Sequence, residues 1–177
     1  VPPSPSALYA PPRLLTPPAP PQTWYDYFDQ HRDLYMAPQA YDWTCSICAA
    51  TWVLQATGIE PDAARESVAY EMGYPSCVNP SVGLANTQCM LDCFARYGLK
   101  AHIEWVDWAR ALELARTTTG CLNSTSWYHF VGVRGLYGNN TLWVANSAPG
   151  YRGIWDQIQY GTFQQWAGSW KFVWLEH

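Results

Sequence analysis

The spacing of apolar side chains changes along the chain, and each change marks an element. Trp24, Tyr27, Phe28, Leu34 and Tyr35 recur at helical spacing, Thr23 stands three residues before Asp26 as in a capping box, and Pro38 closes the run. A first helix is therefore expected from Trp24 to about Met36. After a turn-like stretch from Gln39 to Thr44, a stronger pattern follows: Cys45, Cys48, Ala49, Trp52, Val53 and Ala56 fall at i, i+3, i+4, i+7, i+8 and i+11, with Gly58 as the stop. This second helix should bury one face. Pro61 at a first helical position opens a third helix to about Met72, and a fourth runs from about Ala85 to Tyr97 before Gly98. A short strand from Leu99 to Trp105 and a fifth helix from Asp107 to Arg116 complete the first part of the chain.

Beyond Arg116 the texture becomes that of strands. Gly120 to Ser124, Tyr128 to Arg134 and Leu142 to Asn146 are short apolar runs separated by turn residues, and Gly138-Asn139-Asn140 joins the last two as a hairpin. Phe163 to Trp166 reads as a helical turn, and Trp170 to Leu175 alternates as a final strand. Helices first and strands second predict an α+β fold, with N-terminal helices packed on a C-terminal antiparallel sheet. Residues 1–22 stand apart, holding nine of the fourteen prolines and the single charge of Arg13, which predicts an extended arm or linker ahead of a folded domain at residues 23–177.

Composition narrows the class of function. A chain of 177 residues that is 49% hydrophobic supports one domain with a core. The net charge of -4 and the lack of any Lys/Arg cluster argue against a nucleic-acid partner, and no apolar run approaches the roughly 20 residues that cross a bilayer. The sequence has no starting Met and no basic-then-apolar leader, so a larger polypeptide or assembly is the expected context. Eleven Trp and twelve Tyr either fill a small core with rings or line an aromatic cleft.

Candidate chemistry centres on a thiol. Only a thiolate is a good nucleophile, and a helix N-terminus and a neighbouring imidazolium both favour it. Cys45 opens the second helix, where free backbone amides could also hold an oxyanion, and Gln39 lies six residues ahead as a second amide donor. Of the four histidines, His129 alone lies in a clear strand; His31 is on the outer helix, His102 on a polar strand face with Lys100 and Glu104, and His177 at the terminus. A neutral imidazole base also needs a group that fixes its tautomer, and Asn146 lies across the hairpin from His129.

Gln39, then Cys45 at a helix start, then the strand opening His129-Phe130-Val131, then Trp143-Val144-Ala145-Asn146-Ser147, resembles the order and spacing of papain-like cysteine peptidases. Leu54 to Gly58 and Phe163-x-x-Trp166-x-Gly168 resemble the bacterial leader-peptidase branch, which cleaves after paired glycines in bacteriocin precursors. The resemblance implies a Cys45-His129-Asn146 triad with Gln39 in the oxyanion hole, no metal or organic cofactor, and a peptide or protein substrate. Asn146 departs from that branch, which commonly has Asp as third member, and Ser46 stands where many members have Gly. A peptidoglycan stem peptide, cut by a cell-wall or phage-associated endopeptidase in an extracellular or virion-associated setting, is one expectation. A catalytically inactive papain-like binding module is the alternative.

The remaining cysteines admit other readings. Cys45-Ser46-Ile47-Cys48 has the form of a redox pair, but it follows a turn after a helix where such a motif should follow a buried strand. Cys89 and Cys93 at i and i+4 could join that pair as a zinc site, and Cys77 could form a disulfide with a helical cysteine. Cys48 as nucleophile would lie nine residues from Gln39, too far for the usual offset. Two sequons, at Asn123 and Asn139, would matter only in a eukaryotic secretory setting.

Overall fold

The structure, a computed structural model, describes residues 22–126, 128–148, 157–160, 163 and 169–177. The proline-rich arm lies outside these, save Gln22, as does most of the helical turn expected at Phe163 to Trp166. α1 (Trp24–His31) opens with the expected capping box, in which Thr23 and Asp26 side chains each accept from the other's backbone amide. It ends at His31, well before Met36. The carbonyls of Arg32 and Leu34, which a longer helix would use internally, accept instead from Arg134 Nη1 at 2.6 Å each, and Leu34 also accepts from Trp52 Nε1 at 2.8 Å.

α2 (Cys45–Ala56) runs through the middle of the molecule, and of its residues only Gln55 is not buried. The expectation of one buried face fails because both the sheet and the other helices surround it. Gly58, at φ +69°, turns the chain away beneath the ring of Tyr27. α3 (Arg65–Glu71) starts later than Pro61, which sits in a turn where Gln55 Nε2 donates to the Ala63 carbonyl at 2.8 Å. β1 (Val78–Asn79) and β2 (Gly83–Leu84) form a small hairpin that periodicity did not reveal, turned by Asn79 Oδ1 accepting from the amides of Ser81 and Val82. A disulfide between Cys77 and Cys89 ties the base of this hairpin to α4 (Gln88–Arg96).

β3 (Ala101–Val106) leads through an Asp107 cap into α5 (Trp108–Thr117), followed by β4 (Gly120–Ser124), β5 (His129–Leu136), β6 (Thr141–Ala145), β7 (Gln157–Gln159) and β8 (Trp170–Leu175). Strands β3 to β8 form one antiparallel sheet in the order β3-β8-β4-β5-β6-β7. Alternation along its strands builds two cores. Cys121, Phe130, Ala145, Val173 and Leu175 face the helices that precede the sheet, together with Phe28, Trp52, Met72 and Phe94. Leu122, Val131, Val133, Val144 and Phe172 face the other way and are covered by Ala111, Leu112, Leu114 and Ala115 of α5. The expected N-terminal helices therefore cover one face, and α5 covers the other.

The contact of α2 with β5 fixes the geometry of everything that follows. A Cβ on Gly132 would come within 2.4 Å of Trp52, so glycine alone lets the helix seat this closely. Trp52 meets Phe28 edge to face and carries the Arg134 guanidinium at 5.2 Å from its ring. Truncating such a fully buried ring to alanine costs roughly 3–5 kcal/mol.

Candidate active site

Cys45 is the first residue of α2, and its sulfur lies 3.6 Å from the carbonyl of Tyr128, one residue before His129. Packing of α2 on β5 thus brings the helix start to the strand start. Thr44, at the N-cap, makes no side-chain cap; its hydroxyl donates to the Tyr41 carbonyl at 2.8 Å instead. The first-turn amides of α2 consequently have no side-chain partner, and the positive end of the helix is directed at the sulfur. Burial nevertheless dominates the thiol. Cys45 is 5% exposed, and its pKa is pushed up by desolvation against the smaller lowering effect of the backbone amides of Phe130 and Ser46. The helix terminus alone leads to the opposite expectation of a ready-made thiolate.

His129 opens β5 and is partly buried, with Nε2 at 2.8 Å from Asn146 Oδ1. The same oxygen accepts from the backbone amide of Ala148 at 3.0 Å. A backbone N–H can only donate, so the atom facing it is the amide oxygen, and His129 must carry its proton on Nε2. Nδ1 is left with the lone pair. Burial lowers the pKa of His129, and the bond to Asn146 offsets this in part. Burial thus favours the uncharged form of both groups, thiol and imidazole alike.

Gln39 is bound to the same strand end. Its backbone amide donates to the Ser147 carbonyl at 2.7 Å, and its Oε1 accepts from the Ser147 hydroxyl at 2.8 Å. Its Nε2 donates to the carbonyls of Tyr41 at 3.0 Å and Asp42 at 3.3 Å, shaping the turn ahead of Cys45. Ser147, fully buried, thus links the Gln39 turn to Asn146. A cleft of about 530 Å³ opens beside Cys45. Asp42, Trp43 and the Pro80 to Leu84 hairpin form one side, and Asn123, Tyr128 and Phe130 form the other.

No protein-family model matches the chain, and no curated protein does. Among solved structures, a double glycine motif protease from an AMS/PCAT transporter, crystallised with its leader peptide, superposes with a TM-score of 0.58 at 20% identity, covering 80% of this chain and 91% of that one. The peptidase domain of Streptococcus ComA, a bifunctional ABC transporter of a quorum sensing pathway, superposes with the same TM-score at 15% identity, covering 80% of this chain and 98% of that one. The fold is that of papain-like cysteine peptidases.

The papain-like matches also correct one expectation. Both solved domains come from transporters, which points away from an extracellular or virion-associated setting. No helix among the described residues is long and apolar enough to cross a membrane.

The other histidines are engaged elsewhere. His31 Nδ1 lies 2.7 Å from the Tyr27 carbonyl, His177 bonds the Thr117 carbonyl, and His102, expected to be solvated, stacks on Trp174 and pairs with Glu176. Of the cysteines, Cys89 is committed to its disulfide with Cys77 and is lost to any four-thiolate zinc site. Cys48 is buried against the hydroxyls of Ser147 and Thr44, and burial pushes Cys93 up to about 12 and Cys121 upward as well. Sequence reasoning missed Ser147, Tyr128 and Asn123 as parts of this region. Ser147 was visible only as the residue after Asn146, and Tyr128 carries no sequence mark of its φ of 51°. Asn123 reads as a strand residue that heads a sequon, with no mark of a place beside Cys45.

Proposed function

We propose that the chain hydrolyses a peptide bond by thiol acyl transfer, with Cys45 as nucleophile, His129 as base and Asn146 as the residue that positions the imidazole. The observation that carries the reading is the 2.8 Å contact of His129 Nε2 with Asn146 Oδ1, an oxygen also held by the Ala148 amide, at the strand start against which the Cys45 sulfur packs. As the sulfur attacks the carbonyl carbon, its proton passes to Nδ1, and the C–S bond forms while the carbonyl oxygen gains charge. Nδ1 then protonates the leaving amine, the C–N bond breaks, and a thioester remains. Water, deprotonated by the same nitrogen, releases the acid and restores the thiol. No cofactor enters this scheme.

The uncapped backbone amide of Cys45 supplies one oxyanion donor. Gln39 supplies the second by exchanging its longer bond, the one to Asp42, for the oxyanion. The substrate is a peptide segment of leader type with small residues beside the scissile bond, as for the similar double glycine motif protease, and the chain works as a domain of a longer polypeptide or assembly, as both similar domains do. The raised Cys45 thiol and the engaged Gln39 amide favour a second reading, a papain-like domain that binds peptide without cleaving it.

Alkylation with iodoacetamide at neutral pH, followed by peptide mass mapping, separates the two. The four free thiols are Cys45, Cys48, Cys93 and Cys121. Rapid modification confined to Cys45 is the expected result of an active site; equal, slow modification of all four would end the peptidase reading. Incubation with a Gly-Gly leader peptide and with purified peptidoglycan then shows which amide is cut.

A further inference from the structure

Three buried side-chain oxygens among the described residues have no hydrogen-bond partner: Ser46 Oγ, Asn123 Oδ1 and Ser124 Oγ. All three border the candidate site. Ser46 follows Cys45, Ser124 is the register partner of His129, and Asn123 is the register partner of Phe130. An orphaned buried acceptor destabilises the fold, and such groups persist where a function needs them. Of the three, only Asn123 lines the cleft, and it does so while 8% exposed. Trp43, Val82, Leu84 and Phe130 supply apolar wall, and Asp42 and Ser81 stand on the wall across from Asn123. A few polar groups placed among apolar walls fix the orientation of a ligand.

We propose that Asn123 is a substrate-positioning residue, whose side-chain amide bonds the main chain of the peptide lying in the cleft beside Cys45. This rests on the peptidase reading and deepens it. Oδ1 is itself buried, and a turn of the amide about its last side-chain torsion offers it to a main-chain N–H whatever side chain the peptide carries, so the residue sets register along the cleft and leaves side-chain preference to the apolar walls. Its placement on β4 matters because β4 pairs with β5, the strand that carries His129, and a peptide held there is held in the frame of the base. The same reasoning yields a signature that a structural role does not share. Replacing an unsatisfied buried amide with an apolar side chain leaves the free protein as stable or more so, while peptide binding suffers.

The test compares Cys45 alkylation by iodoacetamide, which has no peptide backbone, with alkylation by N-acetyl-dipeptidyl chloromethyl ketones bearing glycine, alanine or leucine next to the ketone. In the unsubstituted chain the peptidyl reagents should react in preference to iodoacetamide. In Asn123→Leu, and in Asn123→Ala in case the larger side chain does not fit, that preference should fall about tenfold, with the loss in the binding constant KI and not in kinact. The melting temperature of Asn123→Leu should not fall. Equal slow alkylation of all four thiols would remove the peptidase reading and this inference with it. A peptidyl preference that survives both substitutions would remove this inference alone, as would a folded, Cys45-reactive chain with no peptidyl preference to lose.

Discussion

On the helical wall of the cleft, Cys45 sits at an uncapped helix start beside a hairpin whose base is closed by the Cys77–Cys89 disulfide. On the sheet wall, His129 is held through Asn146, whose neighbour Ser147 holds the turn carrying Gln39. The first wall is stabilised by burial and a covalent tie, with its backbone donors unspent. The second is stabilised by hydrogen bonds that spend nearly every donor they touch. In the proposed mechanism, reactive capacity lies in what the first wall withholds, and alignment lies in what the second completes.

The largest effect should come from the helical wall. Cys45→Ala should lower peptide hydrolysis on the order of 10⁴-fold or more while leaving the circular dichroism spectrum and melting temperature nearly unchanged. Residual turnover within tenfold of the unsubstituted chain would show that the thiol is not the nucleophile. Opening the covalent tie is the next test. Cys77→Ser combined with Cys89→Ser should cost about 3 kcal/mol in denaturant unfolding by loop-closure entropy. It should also raise KM more than it lowers kcat, because Pro80 to Leu84 line the cleft.

The sheet wall should answer in alignment. Asn146→Ala should reduce kcat on the order of 10²-fold, since His129 loses the acceptor that fixes its tautomer. Asn146→Asp keeps the acceptor and adds a negative charge, which should recover most of the rate and move the acid limb of kcat/KM to higher pH. An unmoved acid limb would break the assignment of His129 as the titrating base.

The smallest effect is a dependence on pH. Burial lowers the pKa of His129, so the folded chain holds it neutral where the unfolded chain already binds a proton. Its contribution to stability is therefore complete above about pH 6.5, the ordinary histidine value, and is lost as pH falls from there through the lowered folded value. His129→Gln should flatten the decline of melting temperature over that acid window. A decline that is unchanged in the substituted chain would place its origin in other groups.

Much of this was legible in the chain. The capping box at Thr23 and Asp26, the apolar stripe from Cys45 to Ala56 and the strands at Gly120 to Ser124 and Trp170 to Leu175 were read with correct type and nearly correct bounds, because local period and local caps decide them. The end of α1 was misplaced because it is decided by Arg134, more than 100 positions away in the chain. The face of the sheet under α5 was missed for a related reason: alternation shows that both faces are apolar without saying which element covers each. At the site, the order of Gln39, Cys45, His129 and Asn146 was visible, but the state of Cys45 was not. A helix N-terminus lowers a thiol pKa, burial raises it, and only the packed structure shows that burial prevails.

The bonds that assemble the site also set when it can exist. Gln39 meets Ser147 across 108 positions, and the Cys45 sulfur meets the Tyr128 carbonyl across 83. A chain growing from its N-terminus displays the thiol long before the strands that carry His129 and Asn146 have been made. Contacts of such separation form late, after the loop between them has closed. During synthesis, then, the thiol is a cysteine like any other. The chemistry proposed for it requires the complete sheet.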